Sequence, residues 1–206
     1  MNINKIWIKD RITFGAKYIN ENNSDIKNIL DIGCRDEILK EKIDPSIKYQ
    51  GVDIYPIKSS TIYANVENGI PFDDNSFSLA VALDVLEHTN NIDKVVSELR
   101  RVSEGYLINL PNEISFWYRI KLLFGVVSKK FLIDLSSLDR HRWFFNLDNV
   151  IRLVDQTDIK NDETSILALY RTKKNLISKI IFSLGYYLGL HSLFAHSFII
   201  LGKKKS

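Results

Sequence analysis

The segment Asn28-Ile29-Leu30-Asp31-Ile32-Gly33 constrains this chain more than any other. It is a short apolar burst, stopped by a glycine, with no alternation of apolar and polar positions. Such a run reads as a strand buried on both faces, the usual state of a parallel strand. A parallel strand reaches its neighbour only through a crossover, most often a helix. Three similar segments follow: Tyr49 to Ile54, Phe77 to Leu83, and Tyr106 to Leu110, the last stopped by Pro111. Between the last two, residues 91–103 place Ile92, Val95, Val96, Leu99 and Val102 on one helical face. This alternation predicts an α/β chain with a doubly wound, mostly parallel sheet. Ligands of such sheets sit outside the carboxyl ends of the strands. Chemistry is therefore expected just after residues 32, 53, 84 and 110.

The flanking segments are read by the same rules. Residues 3–20 carry Ile6, Trp7, Ile12, Phe14 and Tyr18 at helical spacing, and residues 36–43 also read as helix. Residues 114–127 are apolar with scattered basic groups. A helix is expected over 147–156, a strand over 166–170, an apolar helix over 176–190 and a last strand over 197–201. The single cysteine, Cys34, excludes an internal disulfide and a multi-cysteine zinc site. Charges within Met1 to Asp10 interrupt any apolar core of a signal peptide, so a cytoplasmic location is expected. Charge is split along the chain: residues 1–112 hold 13 basic and 17 acidic side chains, residues 113–206 hold 15 and 8. The basic second half suits an acidic partner or a lysine-rich solvated face equally well.

Four features stand in order along the first half. Leu30-Asp31-Ile32-Gly33-Cys34 runs a strand into a tight turn, where glycine lets backbone approach a ligand. Gly51-Val52-Asp53 ends the next strand, about twenty residues on, the spacing of a ribose-binding carboxylate. Asn65 precedes Pro71-Phe72-Asp73-Asp74-Asn75-Ser76-Phe77, and Leu83-Asp84-Val85-Leu86-Glu87-His88 closes the set. A dinucleotide fingerprint is absent, because Arg35 and Ile38 stand where it needs glycine. No phosphate loop and no Gly-x-Ser-x-Gly elbow occur either.

The ordered set resembles the class I S-adenosylmethionine-dependent methyltransferases, in particular the methyltransferase-domain (type 11) group. The likeness covers residues 28–112 well and the remainder loosely. It implies a Rossmann-like sheet with an antiparallel last strand, and S-adenosylmethionine as cofactor. Residue by residue, it implies that Gly33 and its turn face the methionine portion of the cofactor, with Asp31 beneath. Asp53 would bind the ribose hydroxyls, Ile54 would lie against the adenine and Asn65 would meet the adenine amino group. Asp84 would sit near the methionine amine or the sulfonium. The family's Gly-x-Gly-x-Gly loop is departed from: Gly33-Cys34-Arg35-Asp36-Glu37 keeps only the first glycine. Ser78 replaces a usual aspartate. One domain over 1–206 is expected, with a cofactor-binding half at 1–112 and acceptor-side elements at 113–206. Segments 113–145 and 173–195 would form a helical cap.

Methyl transfer to oxygen calls for a general base, and His88 and His141 are the candidates. Each has a bland alternative, His88 as a helix-start residue bonded to backbone and His141 as a loop-packing residue. Glu87 beside His88 is too little for a metal site, so no metal is expected. The acceptor is expected to be a small molecule or a lipid- or glycan-linked one, with peripheral contact at the inner membrane surface open. Leu176, Ile177, Ile180, Ile181, Phe182 and Leu184 beside Lys173, Lys174 and Lys179 motivate that contact. From Ile180 to Gly202 there is no charged side chain, long enough in principle to span a bilayer but rich in glycine, serine, histidine and tyrosine. Two other readings compete. One is a catalytically silent member of the fold, motivated by the lost glycines. The other is an RNA methyltransferase, which the single proline of Leu110-Pro111-Asn112 disfavours; nucleic acid is not the expected partner.

Overall fold

The computed structural model describes residues 3–127, 140–171 and 176–205. Eight strands form one sheet: β1 (Asn4–Ile8), β2 (Asn28–Ile32), β3 (Lys48–Asp53), β4 (Ile62–Tyr63), β5 (Phe77–Leu83), β6 (Ser103–Pro111), β7 (Glu163–Arg171) and β8 (Ser197–Lys203). The helices are α1 (Arg11–Glu21), α2 (Ile92–Val102), α3 (Phe116–Leu123), α4 (Leu147–Gln156), α5 (Leu176–Tyr187) and α6 (His191–Phe194). The spatial order is β1-β7-β8-β6-β5-β2-β3-β4. Only β8 runs antiparallel, against β6 on one side and β7 on the other. This is the Rossmann-like, mostly parallel sheet with an antiparallel last strand that the sequence predicts.

Burial follows from the sequence pattern. Leu30, Ile32, Ala80, Ala82, Ile108 and Leu110 point to one face, where Val95, Leu99 and Val150 of α2 and α4 cover them. Ile29, Val81, Leu107 and Ile199 point to the other, under Phe14 and Ile19 of α1. Period-two alternation is invisible in these strands because both faces are covered. Polar ties fix the layers. Arg100 of α2 donates from Nε and Nη2 to the two carboxylate oxygens of Asp162 at 2.8 and 3.0 Å. Ser78 donates from its backbone nitrogen and its hydroxyl to the Asn28 side chain, both at 2.8 Å. The serine that departs from the family pattern thus stitches the amino ends of β5 and β2, away from the carboxyl edge.

Two expected helices are corrected. Residues 3–20 divide into β1, parallel to the β7 edge, and α1. Asp10 makes the break: its carboxylate accepts from Thr13 N at 2.8 Å and caps the helix. Residues 36–43 form turns with a single 3₁₀ turn at Lys40–Lys42. Positive φ at Arg35 (52°) and Glu37 (59°) prevents a helix from starting there. The two-residue strand β4 has no apolar run to announce it. Ile180 to Gly202 divides between the end of α5, α6 and β8. Among the described residues no helix is long and apolar enough to cross a membrane.

Topology decides what lies at the carboxyl edge. The order of strands reverses between β2 and β5, leaving a crevice at their carboxyl ends. Helix α3 follows the end of β6, and α5 with α6 fills the passage from the end of β7 to the start of β8. Because Pro111 pairs with Ser197, these insertions meet at the same edge. Phe116 stacks on Phe194 there, ring centroids 5.6 Å apart, and Asn112 donates to Ser192 O and Ala195 O. Lys173, Lys174 and residues 128–139 of the expected cap lie outside the described residues.

Candidate active site

The turn after β2 keeps the path of a glycine loop without its glycines. Gly33 has φ 66°, and a Cβ there would come within 2.7 Å of Val85 Cγ2. Arg35 and Glu37 take φ values of 52° and 59°. All three positions of the expected Gly-x-Gly-x-Gly pattern are therefore left-handed. Side chains normally resist that conformation by about 1–2 kcal/mol each. Here the loop is held from outside. Arg35 N donates to Asp53 Oδ2 at 2.8 Å, and Tyr55 N to Asp53 Oδ1 at 2.7 Å. The Glu37 carboxylate accepts from Ser60 Oγ, Thr61 Oγ1 and Lys40 Nζ at 2.8–2.9 Å. Burial alone would raise the Glu37 carboxyl; the bonds from Lys40, Thr61 and Ser60 outweigh it and hold it below the usual range. Gly51 leaves the space: a Cβ there would sit 2.6 Å from Cys34 Sγ.

Asp31 is buried beneath this loop and accepts from Tyr49 Oη at 2.7 Å. Burial pushes its carboxyl up to about 7 against the lowering pull of that hydroxyl, with Glu37 and Asp53 adding to the rise. Asp53 ends β3 half-buried, and Ile54 and Tyr55 beside it are exposed. Asn65 caps a 3₁₀ turn, its side-chain oxygen accepting from Glu67 N at 3.0 Å. Asp84, in left-handed conformation (φ 59°) after β5, pairs with Arg11 Nε at 2.9 Å and accepts from the Asn109 amide. Arg11 and Asn109 were not singled out by sequence. Asn109 sits near the end of an apolar strand, a position that marks the carboxyl edge once the sheet is known. Arg11 reaches Asp84 only because β1 starts α1 at this edge.

The structure brings the two candidate histidines together. His88 and His141 stack edge-to-face, ring centroids 4.8 Å apart. His141 is buried, and its Nδ1 lies 2.6 Å from Glu113 Oε1, just past the end of β6. His88 Nδ1 lies 3.1 Å from Arg140 O. The two stretches of chain are sewn to each other: Arg142 N donates to Glu87 O, Arg142 Nε to His88 O and Trp143 Nε1 to Thr89 O, at 2.7–3.0 Å. Glu113 is a further residue that sequence alone did not reveal. A groove of about 500 Å³ is lined by residues that follow these stretches in the chain, among them Asn90, Asn91, Trp143, Phe144, Asn149 and Arg152.

The residues present fit an S-adenosylmethionine molecule. A carboxylate oxygen has two lone pairs, so Asp53 keeps capacity for two ribose hydroxyls while it holds the loop amides. Exposed Ile54 offers an apolar face to a base. The Gly33 turn admits backbone approach, and Asp31, Asp53 and Asp84 bring carboxylates around the edge where a sulfonium would sit. When bound, that group supplies an electrophilic methyl.

Comparison with known proteins agrees. The family described as Methyltransferase domain matches residues 6–164. No curated protein matches the chain. Among solved structures, a SAM dependent methyltransferase from Archaeoglobus fulgidus is similar with a TM-score of 0.57 at 16% identity, over 94% of this chain and 95% of that one. The small RNA methyltransferase HEN1 aligns with a TM-score of 0.59 at 15% identity, over 95% of this chain and 25% of that one. The plantazolicin methyltransferase BamL, in complex with a triazolic desmethylPZN analog and SAH, gives 0.57 at 16%, over 94% and 83%. At these identities the structures speak for the fold, and the family match over most of the chain speaks for the activity. The chain belongs to the methyltransferase-domain family, an S-adenosylmethionine-dependent methyltransferase on a Rossmann-like sheet.

Proposed function

We propose that this methyltransferase acts on a hydroxyl group of an apolar acceptor, either a small molecule or one linked to a lipid or glycan. The observation that carries this reading is the pairing of half-buried His88 with buried His141, backed by Glu113 at the carboxyl edge. A carboxylate behind an imidazole fixes its tautomer and favours its proton-accepting role, as oxygen acceptors require. Asp53, Asp31, Gly33, Ile54 and Asn65 would hold the donor, and Asp84 would face its charged end. Positioning donor and acceptor in line accounts for much of the remaining barrier. The acceptor's apolar character is supported by exposed Trp117, Leu123 and Phe124 on and just after α3 and by Tyr187 and Leu188 at the end of α5. A nucleic-acid acceptor, the class named for the HEN1 neighbour, would call for basic rather than apolar side chains on those segments.

The test begins with calorimetric titration of S-adenosylhomocysteine into the purified protein and into Asp53→Ala. Micromolar binding that weakens at least tenfold in the variant is expected. Turnover is then screened on hydroxylated aromatic, prenyl-linked and sugar-linked acceptors, with short RNA as a separate arm. His141→Ala is expected to lower kcat by about 10²–10⁴ with little change in donor affinity. Methylation of RNA alone, or donor binding without any turnover, would replace this reading.

A further inference from the structure

The same edge holds a set of groups suited to a metal ion. Glu87, His88 and His141 each offer one ligand atom, and the three atoms lie within 4.8 Å of one another. Glu87 is fully buried, His141 is 5% exposed and His88 is half-buried, so the cluster has a dry floor and one open side. From sequence, Glu87-His88 lacked a partner; folding supplies His141 from a segment more than fifty residues on.

Two features distinguish this cluster from a chance meeting of polar side chains. First, each imidazole turns its Nδ1 toward an oxygen acceptor: His88 toward Arg140 O at 3.1 Å, His141 toward Glu113 Oε1 at 2.6 Å. A carboxylate or carbonyl behind a ring nitrogen is the usual outer support of a metal-binding histidine. Second, the ligand-bearing stretches form a pre-organised frame. Arg142 N, Arg142 Nε and Trp143 Nε1 donate to the carbonyls of Glu87, His88 and Thr89 in succession. The backbone geometry of all three side chains is set before any ligand arrives.

We propose that Glu87, His88 and His141 form a binding site for one divalent transition-metal ion, with Glu113 and the Arg140 carbonyl as its outer supports. Two imidazole nitrogens and one carboxylate oxygen suit manganese, cobalt or zinc rather than magnesium or calcium, which prefer all-oxygen shells. Three protein ligands leave positions open on the half-buried side. An ion there acidifies a coordinated acceptor hydroxyl, whose proton leaves to solvent, so the two imidazoles serve as ligands rather than as the free base. This inference rests on the oxygen-acceptor reading above and replaces one part of it, the role of the two imidazoles as proton acceptors; the acceptor class and donor residues are unchanged. The ligand atoms draw closer by roughly 1 Å to meet metal–nitrogen distances near 2.1 Å.

The test uses full-length protein stripped with a chelator, dialysed and titrated with cobalt(II) and manganese(II) chloride in the absence of donor and acceptor. Cobalt is expected to bind one equivalent at micromolar strength and to develop visible ligand-field absorption. His141→Ala and Glu87→Gln are expected to abolish the absorption and weaken binding at least a hundredfold. Glu113→Gln, which leaves the ligands in place, is expected to weaken it about 10–100-fold. His196→Ala, at an exposed histidine just before β8, is expected to change nothing. Titration of S-adenosylhomocysteine into each stripped variant reports whether the fold and donor site survive. Donor binding with no cobalt site in the wild-type protein, or a cobalt site untouched by both ligand substitutions, overturns the metal inference and leaves the hydroxyl-acceptor reading standing. A cobalt site on a protein that turns over only RNA overturns that reading instead.

Discussion

Arg35 and Glu37 occupy the same backbone conformation for different reasons. Both are left-handed, where glycine is at ease and a side chain is not. Arg35 is exposed, and among the described residues its side chain has no hydrogen bond that compensates. Glu37 is buried and gathers Ser60, Thr61 and Lys40. Arg35→Gly is therefore expected to cost no stability and to raise it by up to about 1 kcal/mol, seen as a small rise in Tm. Glu37→Gly relieves the same strain but strips three donors of their acceptor, and a fall in Tm is expected. If both variants behave alike, the loop is held by something other than the Glu37 carboxylate. Asp31 gives a second residue-scale prediction. Its carboxyl stands at about 7 in the fold because of burial, against an ordinary 3.8. A group with a raised pKa contributes stability that is full below the unfolded value. That contribution is lost as pH rises through the folded value. Stability due to Asp31 thus declines between about pH 4 and pH 7. Asp31→Asn, which can still accept from Tyr49 Oη, removes that decline. Urea unfolding at pH 5 and pH 8 should show the variant gaining on the wild type at the higher pH; a constant difference would mean that Asp31 is charged throughout.

At the scale of elements, legibility depended on how much a segment's structure owes to its own residues. Strands β2, β3, β5 and β6 and helices α2 and α4 carry their signal locally, as apolar runs or as a 3.6-residue stripe, and each falls within a few residues of its expected bounds. β1 does not. Ile6, Trp7 and Ile8 are a continuous apolar run too short for periodicity to tell strand from helix, and pairing with β7 decides between them. Residues 36–43 form turns rather than the expected helix for a related reason, since the left-handed residues Arg35 and Glu37 depend on Asp53 and on Ser60 and Thr61, none of them local. The site divides in the same way. The positions of Gly33, Asp53 and Asp84 at the carboxyl edge were legible because each stands at the end of a readable strand. Glu113, Arg11 and the meeting of His88 with His141 were not, because they arise only when the sheet closes. Asp162 is a further element-scale tie. Its carboxylate, 1% exposed, accepts two bonds from Arg100 of α2 and lies 3.3 Å from Tyr106 Oη of β6. Asp162→Ala is expected to destabilise by about 2 kcal/mol, less than a wholly buried pair because Arg100 is one-third exposed. In a chain of this length that lowers Tm by about 4–8 °C. Asp162→Asn, which still accepts one bond, should lose about half as much. Equal losses in the two variants would show that charge rather than hydrogen bonding makes the tie.

The whole molecule is lopsided in chemistry as well as in charge. Residues 1–112 are net acidic and residues 113–206 net basic. Among the described residues, the segments inserted at the carboxyl edge carry the most exposed large apolar side chains: Leu123 and Phe124 at the end of α3 are 79% and 80% exposed, and Tyr187 at the end of α5 is 78% exposed. Apolar side chains held in water beside basic ones have two outlets. They can close over a bound apolar acceptor, or they can enter the interface of an anionic bilayer from which such an acceptor is drawn. The two outlets differ in salt dependence and in what the apolar residues contribute. For bilayer contact, lysine and arginine supply attraction that fades as salt screens it, and each buried large side chain adds about 1.5–3 kcal/mol. We expect the protein to bind vesicles containing phosphatidylglycerol at low salt and to release them as salt rises. Replacing Leu123 and Phe124 together by serine should weaken that binding at least about tenfold. Both side chains project into solvent, so affinity for S-adenosylhomocysteine should be unchanged. If the wild-type protein ignores such vesicles while the serine variant loses turnover on apolar acceptors, the edge is a lid over the acceptor and the membrane has no part in its function. If both effects appear together, the same residues serve to dock and to cover, and the acceptor reaches His88 and His141 directly from the bilayer.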